Sequence, residues 1–82
     1  MNRLEARKKF LEMVEKYPGM TPRAATNRFA VKYKTEVDTD IAYCLMDELI
    51  EVGEIVYRQV ILPADENYDS EVITILSLPA KA

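Results

Sequence analysis

The apolar pattern changes period at Gly53, and that switch constrains the fold more than any other feature of this 82-residue chain. Before Gly53, apolar residues recur at three- and four-residue spacings, the signature of helices with one buried stripe. Beyond it, β-branched and aliphatic residues gather in two short runs separated by a polar turn. A domain of this length buries only roughly 60–65% of the surface its unfolded chain exposes, so helices and strands must share one small core. The expected class is α+β: a single domain over 1–82, with three helices followed by a two-stranded antiparallel hairpin.

The helices are predicted at 3–17, 22–33 and 39–52. In the first, Ala6, Phe10, Met13, Val14 and Tyr17 form the apolar stripe, widened by Leu4 and Leu11, and Pro18-Gly19 stops it. Thr21 is placed to cap the second helix and Pro22 to open it, since a proline there loses no hydrogen bond. That helix is expected to bury Ala25, Phe29 and either Val31 or Tyr33. Residues 34–38 read as a connector with a short extended stretch at 35–37. Asp38, Thr39 and Asp40 crowd the start of the third helix, where acidic side chains answer the positive end of the macrodipole. Their spacing also suits a magnesium-binding pair, but no third ligand or phosphate loop accompanies them. Ile41, Ala42, Leu45, Met46, Leu49 and Ile50 form the inner face of this helix, and Gly53 supplies its left-handed stop. Strands are expected at 55–62 and 71–78, with Pro79 ending the second before a short tail.

Composition removes most catalytic chemistry. Histidine is absent, which excludes Ser-His and Cys-His nucleophile pairs and His-containing metal sites together. One cysteine, Cys44, allows neither an intrachain disulfide nor a multi-cysteine zinc site, and it reads as a small packing residue beside the core stripe. Two glycines write neither a Walker loop nor a dinucleotide fingerprint. Function by binding rather than catalysis is expected, with no cofactor and no metal. No apolar run is long enough to span a bilayer and no export signal opens the chain, so no membrane partner and a cytoplasmic location are expected.

The net charge of −3 conceals a polarity along the chain. Residues 1–34 carry nine basic against three acidic side chains, a net of +6, and residues 35–82 carry two basic against eleven acidic, a net of −9. Halves of opposite sign create a dipolar field that orients partners of either sign.

Three helices followed by a hairpin resemble the winged helix-turn-helix domain. The likeness is carried by the third helix and its exit, where Leu45 and Met46 form an aliphatic pair, followed by Leu49, Gly53 and Ile55. The Thr21-Pro22 helix with Ala25 and Phe29 is similar to the family's second helix. The resemblance covers nearly the whole chain, though its motifs encode packing. It implies a DNA-associated transcriptional or replication regulator whose third helix enters the major groove and whose wing touches the backbone. The groove-facing positions would be Thr39, Asp40, Tyr43 and Asp47. Here the sequence departs from the pattern. Two of those four are acidic, no Lys or Arg lies between 35 and 57, and the wing turn holds Asp65, Glu66 and Asp69.

Two readings therefore stand. In the first, duplex DNA is held by its backbone on the basic half, through Arg3, Arg7, Lys8, Arg23, Arg28, Lys32 and Lys34. In the second, Asp40, Tyr43, Asp47, Glu48, Glu51 and Tyr68 form an acidic module or inhibitor surface for a basic nucleic-acid enzyme. Val72, Ile73, Ile75, Leu76 and Leu78 place apolar side chains on both faces of the second strand, and a homodimer through that strand is expected.

Overall fold

The computed structural model describes residues 1–80; part of the short tail expected past Pro79 lies outside the described residues. Helices α1 (Arg3–Lys16), α2 (Pro22–Lys32) and α3 (Thr39–Glu51) precede strands β1 (Val56–Leu62) and β2 (Glu71–Ser77), and the two strands pair antiparallel. This is the expected α+β layout of three helices followed by a two-stranded antiparallel hairpin.

Each helix begins on a side chain that satisfies a free backbone N–H. Glu5 N donates to Asn2 Oδ1 at 2.8 Å, Ala24 N to Thr21 Oγ1 at 3.2 Å, and Ile41 N to Asp38 Oδ1 at 2.8 Å. Asp38 is thus a cap. Helix α3 ends in a Schellman motif: Gly53 at φ +81° lets its own N–H reach Ile50 O while Glu54 N reaches Leu49 O. That turn delivers Ile55, fully buried, into the core beside Leu49.

The core is one cluster in which Phe10 from α1, Phe29 from α2, Leu49 from α3, and Ile55 and Leu76 from the hairpin are all essentially inaccessible. Phe10 and Phe29 meet at 5.2 Å between ring centroids, tilted by 50°. Strand β2 is the one that packs on α1 and α2, and Leu76 N donates to Met20 O at 2.8 Å, tying the hairpin to the α1–α2 connection. The rest of the hairpin runs outward, so the molecule measures 48 × 33 × 20 Å. Its radius of gyration is 14.1 Å, against roughly 12 Å for a compact domain of this length.

Several expectations are corrected. No strand forms at 35–37. Glu36 N and Val37 N both donate to Tyr33 O, so the connector is a turn, and it buries Val37. Leu4 and Val31 are 77% and 73% exposed, because each points off its helix away from the shared core. Ile41 and Val52 are also exposed, since they lie at the two ends of α3 where no neighbour covers them. Thr26 was not anticipated as core, yet it is fully buried. Its hydroxyl donates to the Pro22 and Arg23 carbonyls, which removes the cost of burying it. Cys44 is exposed rather than packed.

Candidate nucleic-acid interface

The seven basic residues singled out from the sequence do not form one patch. Arg3 and Arg7 lie one turn apart on α1 and both turn toward α3, where Glu48 receives them. Arg7 donates to Glu48 Oε2 through Nη2 at 2.8 Å and Nε at 3.1 Å, and Arg3 Nε reaches the same oxygen at 3.2 Å. The Arg3 guanidinium also pairs with the other oxygen, Oε1. The Glu48 side chain is only 22% exposed, and two cations of the first set share this one anion of the second in a half-buried cluster that keeps a net charge of +1. Lys8, Arg23 and Lys34 are exposed and belong to no cluster.

Arg28 and Lys32 face the other way, into a groove of about 800 Å³ between α1 and α2. Two lysines absent from the sequence-based set join them there. Lys9 and Lys16 on α1 line the same groove, and its only carboxylate is Glu12. None of the four cations has a carboxylate within salt-bridge distance among the described residues. They stand instead over aromatic faces. The Arg28 guanidinium lies 4.2 Å from the Tyr17 ring centroid, with Lys16 Nζ at 5.4 Å from the same ring. Lys32 and Lys9 approach the Tyr33 ring at 5.5 and 5.8 Å. Tyr33 is held in turn against Phe29, at 4.8 Å.

The local reasons are plain in the sequence. Lys9 and Lys16 are seven residues apart on α1, two turns along one face, and Arg28 and Lys32 are one turn apart on α2. Tyr17 and Tyr33 are the C-caps of those two helices, so each ring sits where its helix ends. Cation–π contact draws each cation onto a ring, at about 0.5–1 kcal/mol for exposed sites, and leaves its N–H donors free. A set of like charges held this way attracts an anion with several negative groups.

The acidic set is dispersed. Asp40, Asp47 and Glu51 are exposed along α3, while Tyr43 packs partly against the core. Tyr68 is 74% exposed in the hairpin turn. Asp65 serves that turn by accepting from Asn67 N at 2.8 Å and Tyr68 N at 2.9 Å. The sequence signal that would have found the groove was the alignment of cations with the helix-ending tyrosines. A count of charge along the chain does not contain it.

Comparison with known proteins returned no match: no family model, no curated protein and no solved structure. Among the described residues no helix is long and apolar enough to cross a membrane.

Proposed function

We propose that this chain is a small winged-helix-like protein that associates with DNA, as a transcriptional or replication regulator, and holds the phosphate backbone in the α1–α2 groove. The observation that carries this reading is the convergence of Lys9, Lys16, Arg28 and Lys32 around Tyr17 and Tyr33, with no carboxylate at salt-bridge distance among the described residues. Phosphate contacts of this kind position a duplex without reading its bases, so binding is weakly sequence-dependent. Docking by α3 in the major groove is disfavoured by Asp40 and Asp47, which are exposed and would face phosphates. A cytoplasmic location, where thiols stay reduced, suits the single, exposed Cys44.

The test is duplex DNA binding as a function of salt. Four neutralised phosphates imply that log K falls against log salt with a slope of roughly −3 to −4. Arg28→Glu should weaken binding about tenfold, whereas Arg23→Glu, outside the groove, should leave most of it. A flat salt response, or equal damage from both substitutions, refutes this use of the groove.

The second reading is supported by a separate observation: Asp40, Asp47 and Glu51 remain exposed and without ion-pair partners among the described residues, while Glu48 is engaged. A basic protein partner would use those three and Tyr68. For that partner, Asp40→Asn with Asp47→Asn is the damaging pair and Arg28→Glu the silent one.

A further inference from the structure

The hairpin leaves the outer edge of β1 open along its whole length, while the outer edge of β2 is engaged at one point. β2 is paired on one side by β1 and tied near its end to Met20, but β1 has no strand on its outer side among the described residues. An open edge presents a row of unpaired N–H and C=O groups, which natural proteins blunt with proline, lysine or a bulge. β1, Val-Tyr-Arg-Gln-Val-Ile-Leu, carries one charge, Arg58, but no proline or lysine, and its seven residues pair with β2 in unbroken register. Four of its apolar residues are also more than a third exposed: Val56 at 37%, Tyr57 at 50%, Ile61 at 69% and Leu62 at 44%. A two-stranded hairpin is at best marginal in water without further strands or packing, and this one extends beyond the helical body.

We propose that β1 pairs with β1 of a second copy about a twofold axis at Gln59, giving a four-stranded antiparallel sheet in the order β2-β1-β1-β2. The occupant is argued from the strand's own polarity pattern. Reversing β1 about Gln59 sets Val56 opposite Leu62 of the second copy, Tyr57 opposite Ile61, Arg58 opposite Val60, and Gln59 opposite itself. All four exposed apolar residues then gain an apolar cross-strand partner, and no two like charges face each other. Shifting the axis to Arg58 would oppose two arginines and lose overlap, so this register is the favoured one. Tyr57 pairs with Leu76 within the hairpin and Ile61 with Val72. The new pairing therefore puts Val72 and Ile61 of one copy in a single lateral row with Tyr57 and Leu76 of the other. The row ends on a residue that is buried in the core of the second copy, which extends the apolar layer to side chains that a single chain leaves in water. The contact is isologous and closes on itself, consistent with a dimer and not a filament. The groove between α1 and α2 takes no part, so this inference stands or falls independently of nucleic-acid binding.

Sedimentation equilibrium of the 82-residue chain over a wide concentration range is expected to show a reversible step from 9.4 kDa to twice that mass. Ile61→Lys, at a position too exposed to affect folding, should raise the dissociation constant at least tenfold while leaving the far-UV circular dichroism unchanged. The register is read with a cysteine pair of variants in a Cys44→Ser background. Gln59→Cys should oxidise to a covalent dimer, and Thr74→Cys, its neighbour on β2, should not. A single 9.4 kDa species at all concentrations overturns the proposal. Cross-linking through Thr74→Cys but not Gln59→Cys also overturns it, and assigns the contact to the face or edge of β2.

Discussion

The two sides of α1 carry the same kind of residue and meet opposite fates. On the side facing α3, Arg3 and Arg7 share the one carboxylate of Glu48, at distances down to 2.8 Å, and half of their charge is offset. On the side facing α2, Lys9 and Lys16 meet two more cations and two tyrosines, with only Glu12 nearby. A stretch of chain with net charge +6 therefore yields one surface whose cations share a carboxylate and one whose cations do not. Local sequence sets how many charges a helix carries. What they do is set by the element each face is packed against, because an ion pair screens a charge that a ring face leaves available.

The most severe way to break this comparison is to remove the floor beneath it. Phe29 lines the groove and is fully buried against Phe10, and Phe29→Ala should cost about 3–5 kcal/mol, read by thermal or urea unfolding. Leu49→Ala, under the Glu48 side, should cost about 2–5 kcal/mol. Wild-type-like melting of either would show that the two sides do not rest on a shared core. Next comes Lys9→Glu combined with Lys32→Glu, which should weaken duplex binding on the order of a hundredfold, or about 2.7 kcal/mol, in a fluorescence titration at low salt. The matching change at Arg3 and Arg7 should weaken it far less, and an equal loss would erase the distinction between the two sides.

Glu48→Gln sharpens the comparison from the other direction. Removing the shared anion should cost about 0.5–1 kcal/mol of stability, since the cluster is only half-buried. It should also release Arg3 and Arg7, and DNA affinity is then expected to rise severalfold. The smallest effect is expected from Asp40→Asn with Asp47→Asn, which should change duplex binding by about twofold or less, chiefly through the association rate.

All five secondary elements could be read from the sequence to within one residue at each end. Their signals are local: the apolar periods, the caps Thr21 and Asp38, and the stop at Gly53 lie within or beside the element they define. Much of the core followed for the same reason, since Phe10, Phe29, Leu45 and Leu49 lie on stripes that a helix must bury. Helix ends escaped this logic. Leu4, Ile41 and Val52 continue an apolar pattern past the point where a neighbouring element covers it.

The chain by itself determined which elements form, in what order, and which face of each is apolar. Tertiary structure alone decided which charges remain free and which strand edge is open. Arg7 and Glu48 are separated by 41 residues, and only the packing of α1 on α3 brings them together. Lys9 and Arg28 share a groove only because α1 and α2 pack side by side. The edge of β1 is open along its whole length, whereas β2 is the strand that packs on α1 and α2 and is bonded at one point to Met20. Side-chain period is a property of neighbours along the backbone. Charge pairing and edge exposure are properties of neighbours in space, and no spacing within one element encodes them.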